Sequence, residues 1–308
     1  KPSSAASDVY KRQVVQGGAS IGVGASGAFG SGAVQQQGSD TWVYFYNSAS
    51  ASAGGNSYTI ARAGTADSNN RLSFSANSTA GNATITVNGT DWKSPVANYL
   101  LFGENTSAGT ATIFNQGGSV YFQQASTAAS ATIANGANSA LSFLGTSSVG
   151  SAKISNAKGG LVYFAESASG AGGSISNAAG GVVDVSGSIA KTGVELGSLS
   201  GAGGVVLGAT RLTLGGLGTS DALSGTVSDK GGAFGVPGPG VGGSIVKVGA
   251  GTLTLSGANT YTGGTTVAAG TLAVNNASGS ATGTGAVQVQ SGACLLYTSP
   301  SPRDKRQS

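Results

Sequence analysis

Apolar and polar residues alternate with period two in short bursts along most of this chain, and between residues 100 and 181 the bursts recur in nearly fixed phase. Four successive segments start from Leu100, Val120, Leu141 and Val162, each followed two positions on by Phe102, Phe122, Phe143 or Phe164. The phenylalanines lie 20, 21 and 21 residues apart. Ile113, Ile133, Ile154 and Ile175 each come 11 positions after their Phe. A tiny residue (Ala111, Ala131, Ala152, Gly173) stands two before each Ile, and Asn115, Asn135, Asn156 and Asn177 stand two after. A repeat this short and regular is the signature of a solenoid. Alternation marks strands with one buried face. The intervening Ser, Ala, Gly and Asn favour turns and supply no helical apolar stripe. The pattern therefore predicts an all-β fold, a parallel β-helix or β-solenoid of about 20–21 residues per coil, with like residues stacked at about 4.8 Å per coil.

One such coil buries too few large side chains to offset the entropy of ordering its backbone, so neighbouring coils must share burial and hydrogen bonds. The Asn column fits that role, since amides stack as ladders and Asn tolerates the left-handed backbone of a tight turn. A ligand role is the alternative. Outside the four clear copies the phase is looser. Val43 and Phe45 match it, although Ile60 follows 15 residues later; Leu72, Phe74, Ala83 and Ile85 restore the 11-residue step. Between Phe74 and Phe102 lie 28 positions, and the surplus is an excursion, VNGTDWKSPVANY, holding Asp91, Trp92 and Lys93. Excursions are where solenoids carry recognition, so these three form a candidate recognition loop. An equal alternative folds Trp92 back as a lid on the core. Val183 and Val185 continue the phase, after which the chain turns richer in Gly and Leu, and residues 220–243, with Pro237 and Pro239, are expected to form an irregular loop.

Composition changes the picture mainly by exclusion. With 55 Gly among 308 residues and 8% charged side chains, the chain is unlike an average globular domain, yet it shows no Gly-X-Y period. The net charge of +4 suggests a nucleic-acid surface until it is located. Six of the 15 basic and two of the 11 acidic residues fall in residues 1–13 and 294–308, which leaves nine of each and no net charge between. Those ends share Lys-Arg-Gln and resemble translated adaptor or cloning sequence, so both are expected to be non-native tails. The single cysteine, Cys294, sits at one junction, so no intramolecular disulfide framework exists. Neither a signal peptide nor an apolar span of about 18 residues is present, and the chain reads as an internal fragment. The absence of His removes Ser-His-Asp catalysis and imidazole metal sites. Glu104 and Glu166 share a phase but lie three coils apart, too far for paired glycosidase carboxyls. No catalytic, metal or cofactor site is expected.

Residues 244–274 carry the most specific motif. Lys247, Gly249, Gly251–Tyr261, Thr262–Val267, Gly270–Leu272 and Val274 make a run, K-x-G-x-G-T-L-T-L-S-G-A-N-T-Y-T-G-G-T-T-V-x-x-G-T-L-x-V, that closely resembles the autotransporter-associated β-strand repeat of Gram-negative passenger domains. The coils of residues 43–190 are similar to such passengers, less specifically. The resemblance implies a right-handed β-helix, carried to the cell surface through an outer-membrane β-barrel of the same polypeptide, with the repeat assisting folding or export. The expected organisation is β-helix over 14–190, a continuation over 191–293, and about thirteen coils in all. The function expected is a non-enzymatic stalk for display or adhesion, extracellular and linked to the outer membrane, with an unidentified protein or polysaccharide ligand on a host or matrix surface and no nucleic acid. A carbohydrate-active or carbohydrate-binding β-helix, and a matrix or surface-layer solenoid without a translocator, are the alternatives.

Overall fold

The computed structural model describes residues 12–16, 18–23, 33–38, 40–46, 56–61, 69–94, 97–232 and 241–297. It is a parallel β-solenoid with no helix among those residues, winding through about 11 turns of about 22 residues. The turns are fewer and longer than the sequence period suggests because insertions lengthen some coils. Residues 74 and 102 are direct neighbours in one column, as are Leu223 and Leu255 in another. At the usual strand spacing, 11 turns extend about 50 Å.

The coils between Arg71 and Asn177 have two strand-bearing walls and one narrow one, and the two strand-bearing walls continue toward the N-terminus. The first wall includes Thr84–Asn88, Thr112–Gln116, Thr132–Asn135, Lys153–Asn156 and Gly170–Asn177. The second includes Trp42–Phe45, Arg71–Phe74, Tyr99–Phe102, Ser119–Phe122, Ala140–Phe143, Leu161–Glu166 and Val182–Ser188. The third is a line of single bridges through Thr79, Ser107, Thr127, Ser148 and Ser169. Pairing is in strict register over the clear repeats: Phe102, Phe122, Phe143 and Phe164 oppose one another, as do the four Ile and the four Asn.

The interior is built from these columns. The six rings Phe45, Phe74, Phe102, Phe122, Phe143 and Phe164 stack with centroids 4.7–5.2 Å apart and planes within 3–13° of parallel. All six are fully buried. The tiny residues before each Ile line a corner too tight for more: a Cβ added to Gly173 would lie 2.2 Å from Val149 Cγ1.

The left-handed turn is not at the Asn column, contrary to the expectation above; Asn115, Asn135, Asn156 and Asn177 lie within strands. Left-handed residues instead fall two after the Phe, at Ala76, Glu104, Gln124, Gly145 and Glu166 with φ of 49–70°, and again at Gly81, Gly109, Ala129 and Gly150, and at Asn138, Gly159 and Gly180, three places after the ladder Asn. A non-glycine residue pays for that backbone. Side chains of the same column return part of the cost, since Ala76 N–H donates to Glu104 Oε2 (2.7 Å) and Glu104 N–H to Gln124 Oε1 (2.5 Å).

Beyond Gly181 the walls rearrange. The eight-residue strand Val194–Gly201 pairs through Val194–Leu196 with Arg211–Leu214 and through Gly201 with Leu223. Two ladders leave it. One runs through Ser244–Lys247, Thr265–Val267 and Val287–Val289; the other runs through Asp221–Leu223, Thr252–Leu255, Thr271–Val274 and Cys294–Tyr297. The second wall ends at Val227–Ser228. The segment 220–243 is therefore not one irregular loop, since it holds two paired strands whose two or three residues are too few to show a period. Pro237 and Pro239 lie outside the described residues. The boundaries drawn at 13/14 and 293/294 also fall across or against paired strands, Arg12–Gln16 and Cys294–Tyr297. Leu295 packs against the core in the column of Leu253 and Leu272, so the winding extends four residues into the segment read as a tail.

Candidate recognition surface

The polar interior has a structural occupation. Asn115 Nδ2 donates to Asn135 Oδ1 (2.9 Å), Asn135 Nδ2 to Asn156 Oδ1 (2.8 Å) and Asn156 Nδ2 to Asn177 Oδ1 (2.8 Å). The second amide hydrogen of each goes to a carbonyl one coil on, at Ala140 (3.0 Å), Leu161 (2.9 Å) and Val182 (3.1 Å), and Asn177 donates to Gly204 O (3.0 Å). The ladder starts at Asn115 because Val87 occupies its place one coil earlier, and Asn115 Oδ1 has no donor there. All four amides are buried, with their N–H groups turned along the stack.

The outer face of the second wall is different. Trp42, Arg71 and Tyr99 form one outward column, and Tyr44, Ser73, Leu101 and Tyr121 the next. The Arg71 guanidinium lies 5.6 Å from the Tyr44 ring centre and 5.3 Å from that of Tyr99. Trp42 meets Tyr44 edge-on at 6.0 Å, and Tyr99 meets Tyr121 at 6.1 Å. Partial burial pushes the Tyr44 hydroxyl pKa up, against the opposing pull of Arg71. The first wall, by contrast, presents Thr112, Thr132, Lys153 and Ser174 outward, with Phe114 as its one large exposed ring among these coils. The repeat of buried residues does not reveal this platform. It lies one and three places before each buried Phe, positions that alternation assigns to solvent, and comparing those positions between coils exposes the aromatic bias.

The excursion joins the same face further along. Lys93 N–H donates to Asp91 Oδ1 (3.0 Å) and Ser94 N–H to Asp91 O (3.0 Å), which fixes the turn, and Trp92 N–H donates to Asn138 O (2.9 Å), which ties it to a later coil. Trp92 packs on a small apolar cluster of Ala140, Leu161, Tyr163 and Ala165. Those residues point outward from the second wall, so Trp92 folds back onto the outside of the winding and is not a lid on its core. The Lys93 ammonium lies 5.6 Å from the Trp92 ring centre. Between this turn and Gly232 runs a cleft of about 370 Å³, walled by Trp92, Lys93, Leu161, Val182 and Val206, with Gly159, Gly160 and Gly180 along its floor. Asp91, Trp92 and Lys93 are thus brought together, with Trp92 and Lys93 on the cleft and Asp91 shaping the turn.

The conspicuous polar residues of the 244–274 motif point inward. Lys247 is buried, and its ammonium donates to the carbonyls of Val248 (2.6 Å), Gly249 (2.8 Å) and Ala269 (3.2 Å). Burial lowers its pKa, opposed by the charge of Asp221. Asp221 occupies a place in the column of Leu253 and Leu272; burial raises its pKa, against a hydrogen bond from Ser198 Oγ (2.6 Å) and the charge of Lys247. Asn259 links three coils, accepting from Val227 N–H (2.7 Å) and donating to Ala281 O (2.5 Å). Tyr261 is fully buried with its hydroxyl 2.5 Å from Thr265 Oγ1, and burial pushes its pKa up to about 12. Where the second wall stops at Val227–Ser228, the Asn259 side chain takes the Val227 N–H that the next strand would have accepted.

Residues 245–274 match the family model of the passenger-associated-transport-repeat, one residue inside the stretch delimited from the sequence. No curated protein and no solved structure gives a significant match. The repeat and the solenoid together fit a fragment of an autotransporter passenger, which implies a secreted or surface-borne chain.

Proposed function

We propose that this chain is a non-enzymatic stalk from an autotransporter passenger, delivered by type V secretion through an outer-membrane β-barrel of the same polypeptide. On this reading it attaches the cell to host or matrix surfaces by the aromatic outer face of its second wall. The observation that carries the proposal is that the matched repeat is itself wound into the solenoid, with Ser244–Lys247 and Thr252–Leu255 paired to coils on either side. A repeat associated with passenger transport therefore belongs to the same body as the platform. Large exposed aromatic patches on a rigid scaffold mark interaction surfaces.

The test is to fuse the chain to a translocator barrel, express it in a Gram-negative host, and score protease accessibility on intact cells and attachment to matrix-coated beads. The proposal expects accessible chain and attachment about tenfold above cells bearing the barrel alone, cut at least about fivefold by Tyr44→Ala/Tyr99→Ala. Chain retained inside the cell would overturn the secretion route. Exposed chain that attaches no better than the barrel alone would favour the matrix solenoid, and release of reducing ends from polysaccharide would favour the carbohydrate-active enzyme.

A further inference from the structure

We infer that the cleft between Trp92 and Gly232 binds an acidic polysaccharide, a chain of hexuronate residues, with Trp92 against a pyranose face and Lys93 and Lys158 facing its carboxylates. The inference rests on the display role proposed above and names the ligand class of that surface.

Shape comes first. A cleft of about 370 Å³ lies within the range of small-ligand sites, roughly 300–1,000 Å³. Gly159 and Gly180 adopt the left-handed backbone, with φ of 77° and 78°, at successive turns of the winding. Gly159, Gly160 and Gly180 give the floor no side chains of their own, and the Lys158 stem crosses it beside Gly180. Trp92 is held from both sides, by its N–H on Asn138 O and by its ring on the Ala140–Leu161 cluster. Its ring and the apolar walls Leu161, Val182 and Val206 offer the C–H face of a sugar a surface that requires no ordering on binding.

Charge selects the sugar. Lys93 lines the cleft and is exposed. Lys158 is exposed and its stem lies over the floor, where a Cβ added to Gly180 would be 2.9 Å from Lys158 Cγ. Lys230 lies two residues before the Gly232 rim. Among the described residues no carboxylate lines the cleft. The nearby acids are engaged or remote: Asp91 caps its own turn, Asp184 is buried and accepts from Ser186 N–H (2.9 Å), and Asp229 is buried and accepts from Thr262. Glu166 is at the far end of the strand that begins at Leu161, about 16 Å along it. Lys93 on the lining and Lys158 beside it present exposed ammonium groups to a repeating carboxylate, whereas the neighbouring carboxylates of Asp91, Asp184 and Asp229 are held by hydrogen bonds of the fold. Because the winding is rigid, the spacing of the two lysines' backbones is fixed.

The test uses the whole chain and isothermal titration calorimetry with tetragalacturonate as the acidic probe and cellotetraose as the neutral one. The expected result is saturable binding of tetragalacturonate, weakened about tenfold or more by Lys93→Glu/Lys158→Glu and by raised salt, and at least about tenfold weaker binding of cellotetraose. Both lysines are exposed, so the double variant should keep the circular dichroism and melting of the parent. Trp92→Ala, scored in the same way, should lose binding of both probes. Absence of saturable binding, equal affinity for the neutral probe, or unchanged affinity in the folded charge-reversed chain would each overturn the inference. If tetragalacturonate fails while displayed cells still attach through Tyr44 and Tyr99, the ligand class is rejected and the display role stands. If it binds as expected while displayed cells do not attach, the role is rejected and the cleft stands.

Discussion

Phe143→Ala is expected to destabilise the protein by about 3–5 kcal/mol, the range for emptying a large buried ring site. Phe143 is sealed from solvent and is stacked between Phe122 at 5.0 Å and Phe164 at 5.2 Å, so truncation removes a partner from two rings at once. Little can move in to fill the hole. The neighbouring rings are held by strands paired in register above and below, and collapse along the axis would break those pairs. Because each coil touches only its neighbours, the loss should be local. Urea unfolding followed by hydrogen exchange should show protection lost first in Ser119–Phe122, Ala140–Phe143 and Leu161–Glu166, with Thr252–Leu255 and Thr271–Val274 still protected. A loss below about 1 kcal/mol would mean that the ring column is not a principal source of cohesion.

Asn135→Ala should cost a comparable amount, about 3–4 kcal/mol, through unmet hydrogen bonds and not through volume. Asn135 accepts from Asn115 and donates to both Asn156 Oδ1 and Leu161 O. Its removal leaves the Asn156 amide oxygen and one Asn115 hydrogen without partners in a buried wall, and takes one donor from Leu161 O. Each such orphan costs about 1–3 kcal/mol, reduced where a neighbour adjusts. The ladder already tolerates one, Asn115 Oδ1, at its first rung. Chemical denaturation of Asn135→Ala beside Ala134→Ser, an exposed-side change on the same strand, would separate the ladder from general strand damage. Equal stability of the two variants would assign the Asn column no energetic role.

Much of the winding was legible because four coils say nearly the same thing. The intervals between Phe102, Phe122, Phe143 and Phe164 give the neighbours directly, and Phe45 and Phe74 extend that column through coils whose lengths differ. Legibility fails where the repeat carries no large marker. In Asp221–Leu223 and Val227–Ser228 the strands are too short to display alternation, and an aspartate occupies a place that leucine fills in later coils. The left-handed turn was assigned to the ladder Asn because Asn favours it, yet tertiary register puts left-handed backbone at Ala76, Glu104 and Gln124 among others, residues with no such preference. The candidate surface was half legible. The excursion stood out by its length and by Trp92, whereas its direction depends on one backbone hydrogen bond to Asn138, 46 residues later, that no local pattern encodes. The platform of Trp42, Tyr44, Arg71, Tyr99 and Tyr121 was hidden because a period-two reading follows the buried phase and discards the other.

The account depends on residues one coil apart lying side by side, and a cross-link tests that most directly. Ser130 and Ser151 are exposed on successive coils with their hydroxyl oxygens 2.9 Å apart. Neighbouring coils are about 4.8 Å apart, inside the Cα separation of roughly 4.4–6.8 Å that a disulfide spans. In a Cys294→Ser background, which removes the chain's one other thiol, Ser130→Cys/Ser151→Cys should oxidise to an intramolecular disulfide in nearly every molecule, with the circular dichroism unchanged. Two thiols that remain reduced under mild oxidant in the folded chain would contradict the register and, with it, the solenoid.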